Sequence, residues 1–218
     1  LMEFAQPLLA AAFTLWGSPT SWAELCGFVC ALGMTVCNIR VIVFAWPLAI
    51  ASSLFYMLVY ADGRVYGQMA LQLLFITVAA WGWWQWLRGT GDDGRAIAVR
   101  WLPTRRRVPV LAATLAAWPA MAWWLANFTD TDVPWLDAFP TTLSITASLL
   151  LARNYADNWP LWIAVNLVSI ALFAVKQWWL TVLLYAIFTL TAAIGWHAWA
   201  RRARRHAGSA AAEAASPT

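Results

Sequence analysis

Charge is scarce in this sequence, and acidic charge is missing from the centre of every apolar run. Only 11% of the 218 residues are charged, against 62% hydrophobic. The ten acids, from Glu3, Glu24 and Asp62 to Asp157 and Glu213, all fall in loops, tails or the ends of apolar runs. Histidine occurs twice, as His197 and His206 near the C-terminus, so a helical HExxH site or a haem-ligating pair is excluded. The three cysteines, Cys26, Cys30 and Cys37, are spaced four and seven apart without a CxxC. They read as small apolar residues on one helix face, neither a disulfide framework nor a metal or redox site. A serine nucleophile needs a buried His or Lys beside it, and none is placed to serve. No catalytic residue, metal or cofactor is therefore expected, and an enzyme is disfavoured.

What the chain has in quantity is apolar surface. With a mean hydropathy of +0.63, it has more than one soluble core of this size can hide. Nearly uncharged stretches long enough to cross a bilayer run over 22–39, 41–60, 65–87, 108–126, 136–152, 159–175 and 178–200. Charge, turn residues and interfacial Trp in "YADGR", "RGTGDDGRAIAVRWLPTRRR", "NFTDTDVPWLD" and "RNYADN" separate them. The reading is an all-α integral membrane protein of seven transmembrane helices. Residues 1–21, with "EFAQPLLAAAFTLW", are expected to form an interfacial helix, and 203–218 a disordered tail.

Arginine orients the bundle. With the helices alternating sides, twelve of the fourteen basic residues fall on one side and only Arg64 and Lys176 on the other. The positive-inside rule then puts the N-terminus outside and the C-terminus in the cytoplasm. The net charge of +4 is juxtamembrane charge, so nucleic acid is not an expected partner. Ion-coupled transporters commonly hold an ionisable group within the membrane. None is placed there, and a driven pump is disfavoured, although sodium could still be held by carbonyls and hydroxyls.

The chain also repeats itself. A shift of 113 positions aligns "WPLAIASSL" (46–54) with "WPLWIAVNL" (159–167), and "AAWGWWQWLR" (79–88) with "AAIGWHAWAR" (192–201). Over 22–89 against 135–202 there are 17 identities in 68 pairs, including Trp, Pro, Gly and Arg. Two three-helix repeats, 22–89 and 135–202, are thus joined by a basic cytoplasmic loop (90–107), a linker helix (108–126) and an external loop (127–134). Three helices and one extra crossing return the second repeat to the orientation of the first, the parallel 3+1+3 plan of SWEET-type sugar transporters.

Within this apolar frame one polar stripe stands out. Helical spacing aligns Trp159, Trp162, Asn166, Ser169 and Phe173 on one face of the sixth helix. Its counterpart on the second helix is Trp46, Ala49, Ser53, Tyr56 and Tyr60. The third helix offers Gln68 and Gln72, and the seventh Thr181 and Tyr185, with Gln72 and Tyr185 equivalent in the repeat. Aromatic walls with scattered hydrogen-bonding groups suit a flat ring that stacks while its substituents pair. An intramembrane Asn also serves as glue between helices, so both roles are open for Asn166. Trp101, Trp135, Trp178 and Trp179 read as interfacial belt, and Pro47 and Pro160 as helix starts or kinks.

The stretches "NWPLWIAVNLVSIALF", "LQLLFITVAAWGWWQW" and "DAFPTTLSITASLLLARNYADNW" resemble the PnuC family of bacterial inner-membrane nicotinamide riboside transporters. The resemblance covers the seven helices. It implies a SWEET-like 3+1+3 fold, a homotrimer, and facilitated diffusion made directional by a cytoplasmic nicotinamide riboside kinase. The chain departs from the family at Ala79 and Trp81, where Asn and Tyr are frequent. The candidate substrate-binding residues are Trp46, Ser53, Gln72, Trp159, Trp162, Asn166, Ser169, Phe173 and Tyr185. A pyridinium ring can rest on Trp faces without a buried carboxylate, whereas a phosphorylated mononucleotide would meet no Arg or Lys at mid-membrane. The alternatives are a relative that carries thiamine, riboflavin or a deoxynucleoside, and a membrane scaffold or receptor that transports nothing.

Overall fold

The computed structural model describes residues 2–15, 18–62, 66–88, 98–129, 133–175 and 179–215. Arg64, Lys176, residues 90–97 of the basic loop, and the side chains of Gln68, Phe173 and Thr181 lie outside the described part. Helix α1 (Met2–Leu9) is followed by strands β1 (Ala11–Leu15) and β2 (Ser18–Ser21). The helices α2 (Trp22–Arg40), α3 (Ala45–Asp62), α4 (Tyr66–Arg88), α5 (Thr104–Phe128), α6 (Pro134–Ala152), α7 (Asn158–Val175) and α8 (Trp179–Ala215) come next. They fall on the seven apolar runs of the sequence. Five of the described helices are long and apolar enough to cross a membrane, and a shorter apolar helix covers Asn158–Leu172. Their outward residues are apolar as well: Leu54, Leu111, Trp123, Leu183, Leu190 and Ile194 are exposed, as lipid contact requires and water does not favour.

Two expectations are corrected at the ends of the chain. The N-terminal segment is helical only to Leu9, and the remainder pairs as an antiparallel hairpin, β1 with β2. A run such as "AAFTL" suits a strand as well as a helix, and the Gly-Ser-Pro that follows in the sequence favours a turn. The hairpin is thus a small β element in an otherwise helical chain. At the other end, 203–215 continues α8 and is not disordered. Its alanines and arginines are strong helix formers, and a helix already nucleated extends at little cost.

The chain forms two compact units, Leu1–Trp84 and Gln85–Thr218, with the boundary inside α4. In the first, a capping box starts α2: the Ser21 hydroxyl accepts from the Glu24 N–H, and the Glu24 carboxylate accepts from the Ser21 N–H. Helices α2 and α3 come close because Gly27 carries no side chain. A Cβ there would lie 3.1 Å from the Tyr56 ring, and the buried Ser52 hydroxyl donates to the Gly27 carbonyl at 2.8 Å. Small residues and buried hydroxyls are the ordinary means of joining helices in lipid. The second unit holds α5 to α8.

The repeat extends to individual hydrogen bonds. At the end of α2, Val41 N–H donates to Asn38 O and Ile42 N–H to Cys37 O, at 3.1 and 2.9 Å. At the end of α6, Asn154 N–H donates to Leu151 O and Tyr155 N–H to Leu150 O, both at 2.9 Å. These are the paired bonds of a Schellman cap, displaced by 113 residues. Both caps need a left-handed residue, Val41 at φ 60° and Asn154 at φ 57°. Next come Ala45 N–H to Ile42 O and Trp46 N–H to Val43 O, matched by Asn158 N–H to Tyr155 O and Trp159 N–H to Ala156 O. The turn therefore ends at Ala45, and α3 begins there and not at 41. Pro47 and Pro160 sit in the first turns of α3 and α7, where a missing N–H costs nothing.

Asparagine tolerates the left-handed region; a β-branched valine does not. Val41→Asn is expected to raise the melting temperature of the purified protein, through about 1 kcal/mol of relieved strain. Val41→Ala, which keeps a Cβ in the same place, should gain much less. Equal melting temperatures for wild type and Val41→Asn would contradict the strained cap.

Candidate functional site

Two of the expected site residues turn out to be set against glycine. The Trp159 ring, only 3% exposed, lies over Gly195 of α8. A Cβ at 195 would sit 2.5 to 2.6 Å from three carbons of its six-membered ring. Trp199, one turn further along α8, meets the ring edge-on, with ring centroids 5.7 Å apart. In the first unit Trp46, 4% exposed, lies over Gly82 of α4 in the same manner. Positions 46 and 159, like 82 and 195, are related by the repeat. Each unit therefore carries one tryptophan pressed onto a helix backbone where only glycine leaves room.

This contact aims the rest of the stripe. Helix α7 meets α8 through Trp159 on Gly195, and ten residues further along α7 Ser169 stands beside Tyr185 of α8. The two contacts agree on one antiparallel register. Asn166 and Trp162 share that face of α7 by helical spacing. Asn166 is 5% exposed and Ser169 4%; Trp162 and Tyr185 are half-buried. The buried Trp159 Nε1–H has no partner among the described residues. In the first unit Ser53 is 8% exposed and Gln72, on α4, is half-buried.

The structure thus brings Trp159, Ser169 and Tyr185 into one α7–α8 contact, with Asn166 and Trp162 on the same face. Trp46 is set within the first unit. Phe173 has its backbone in α7. The glycines are the residues that stripe reasoning passed over, although the repeat alignment already paired Gly82 with Gly195. It also missed Trp86 and Trp199, buried at 7% and 0%, repeat-related and 6.5 Å apart ring to ring. Among the described residues, no group of three His, Cys, Asp or Glu could hold a metal ion.

Comparison with known proteins meets this geometry at one point. The model of a family described as nicotinamide mononucleotide transporter matches residues 21–201. The chain belongs to that family. It is a multi-pass membrane transporter and not an enzyme, and its resemblance to PnuC proteins is one of family membership. The nicotinamide riboside transporter PnuC of Escherichia coli is 29% identical over 171 residues, covering 67% of this chain and 72% of the relative. The riboflavin/roseoflavin transporter RibM of Streptomyces davaonensis is 27% identical over 201 residues, 91% of this chain and 93% of the relative. A crystal structure of the vitamin B3 transporter PnuC shares the fold at a TM-score of 0.70 and 24% identity. The match covers 85% of this chain and 83% of that one.

In this member of the family, the tryptophan-on-glycine contact is expected to be a structural requirement. Gly195→Ala places a methyl against the ring of the buried Trp159 and should cost about 1–3 kcal/mol. Combining it with Trp159→Leu should recover part of the loss, a coupling that a double-mutant cycle on melting temperature measures. Additive effects of the two changes would contradict the contact.

Proposed function

We propose that this transporter carries nicotinamide riboside by facilitated diffusion across the bacterial inner membrane, with its N-terminus outside and its C-terminus in the cytoplasm. The observation that carries the reading is the Asn166 amide. It is buried, 5% exposed, in the middle of an apolar helix, and lies on the face that bears Trp162 and Ser169. The carboxamide of nicotinamide matches it as both donor and acceptor. The pyridinium cation suits the tryptophan faces, and the ribose hydroxyls suit Ser169 and Tyr185. Ser53 and Gln72 are candidates for the same work on the first unit's helices, with Trp46 and Trp159 setting the frame and Phe173 extending the stripe.

The matching turns at 41–46 and 154–159 support the 3+1+3 arrangement as the frame of this transporter. Net uptake would follow from phosphorylation of the nucleoside by a cytoplasmic kinase, and the functional particle is proposed to be a homotrimer. The family's description names the mononucleotide. The lack of any Arg or Lys within the stripe favours the unphosphorylated nucleoside, since a phosphate dianion calls for a cation. A second reading, riboflavin, is favoured by the similarity to RibM, which extends over 91% of this chain. Its isoalloxazine is also a flat ring edged with amide-like groups.

Calorimetry of the purified protein with nicotinamide riboside, riboflavin and thiamine separates these. Binding of nicotinamide riboside alone is the expected result, and binding of riboflavin alone overturns it in favour of the second reading. Asn166→Leu conserves volume and leaves a ligand amide unpaired in a dry site. It should cost about 1–3 kcal/mol, roughly ten- to a hundredfold in Kd, with the melting temperature unchanged. A stable Asn166→Leu variant of undiminished affinity would remove the residue from the site.

A further inference from the structure

Between α4 and α5 the chain passes as a short extended segment across the α6–α7 turn. Arg100 N–H donates to Asn154 O at 3.1 Å, and Ala156 N–H donates to Arg100 O at 2.9 Å, a parallel bridge between residues 100 and 155. The Arg100 guanidinium stands 5.1 Å above the centroid of the Tyr155 ring. One carboxylate then closes the arrangement. Asp157 accepts the Leu102 N–H on Oδ2 at 2.7 Å and faces the Arg107 guanidinium through Oδ1 at 3.2 Å. Arg107 Nε in turn donates to Leu102 O at 3.2 Å. Both backbone groups of Leu102 are thereby tied, through Asp157 and Arg107, to the residue immediately before α7. Leu102, Leu150 and Tyr155 pack together beneath, with Val110 and Leu161 against them.

Two more attachments lie along α5. At its middle, the Thr114 and Thr146 hydroxyls are 2.9 Å apart. Further on, Trp118 Nε1 donates to Trp135 O at 2.9 Å, with its ring edge-on to Trp135 and Phe139. Ala122, Leu125 and Ala138 form a buried cluster beside it. The helix that sequence symmetry presents as a neutral connector is therefore joined to α6 at its start, middle and end. Hydrogen bonds and close packing at three levels leave no direction in which α5 could slide without breaking several contacts at once.

From this we infer that α5 and the α6–α7 pair move as one rigid body when the transporter changes state, with Asp157 as the clasp that holds the start of α5 to the start of α7. The linker is a working part of the second repeat and not a hinge between repeats. Asp157 and Arg107 are positioning residues: they fix the end of α7 from which Trp159, Trp162, Asn166 and Ser169 are laid out. The inference goes beyond the transport reading and rests on it only where uptake is the readout.

Thr114→Cys combined with Thr146→Cys, in a protein with Cys26, Cys30 and Cys37 replaced by Ala, allows α5 and α6 to be cross-linked. After reconstitution, uptake of labelled nicotinamide riboside by the oxidised protein should equal that of the reduced protein. Loss of uptake on oxidation, restored by reductant, would overturn the inference. Spin labels at the exposed positions Arg105 and Leu149 give an answer that needs no transport. Their distance should stay single and narrow with and without nicotinamide riboside, and should broaden in Asp157→Ala. A distance that shifts with the ligand, or is unchanged by Asp157→Ala, contradicts the single body or the clasp respectively. A reduced protein that carries no nicotinamide riboside counts against the proposed substrate alone, and the spin-label distances then decide the rigid body.

Discussion

A tryptophan ring lying on a helix backbone is the contact on which the rest of this transporter's geometry depends. Glycine at 82 and 195 removes the one atom that would hold Trp46 and Trp159 away. In lipid there is no hydrophobic force to pull helices together, so close packing and internal hydrogen bonds must supply the association. Once Trp159 is seated on Gly195, the antiparallel register of α7 and α8 follows. Ser169 then reaches Tyr185, and Asn166 is carried into the same buried face. A shift of one residue along α8 would put a Cβ into the ring and separate the hydroxyl pair. The same contact recurs in the first unit, preceded by the same cap and turn.

The placing of acidic and basic side chains away from the middles of the described spans shapes function as much as the stripe does. A charged group within the membrane requires a partner or a pathway and usually marks ion or proton coupling. Here the described charge is collected at the ends of the spans and between them, where Asp157 pairs with Arg107. The proposed site is left with dipoles and π-faces. Such a site can recognise a delocalised cation through the aromatic quadrupole while offering no carboxylate, histidine or lysine to tie transport to a proton. Rigid attachment of α5 to α6 and α7 adds the complementary mechanical half, a body large enough to move the stripe as a unit.

Much of this was legible in the sequence, and the misses have identifiable causes. The helical, membrane-spanning character was legible because charge and turn residues break the apolar runs on which α2 to α8 fall, and the matching turns at 41–46 and 154–159 because Trp, Pro and Arg recur in register. The start of α3 was not, since a left-handed valine at 41 is a conformation that its residue type argues against. The 11–21 hairpin was hidden because a five-residue apolar run carries no period of its own. Helical spacing showed which side chains share a face of α7 but not what that face meets. Trp159 thus read as part of the stripe, while the glycine beneath it went unremarked. Trp86 and Trp199 were indistinguishable, by residue type alone, from interfacial tryptophans. Asp157 looked like one more loop acid, because its partners at 102 and 107 lie some fifty residues away in the chain.

The central claim is that an uncharged stripe of aromatics, an amide and hydroxyls carries its solute downhill without an ion. Uptake of labelled nicotinamide riboside into proteoliposomes containing only this protein tests it directly. The account predicts saturable entry that stops when the internal and external concentrations are equal, with the same plateau whether or not a sodium or proton gradient is imposed. Accumulation above the external concentration under either gradient would contradict it.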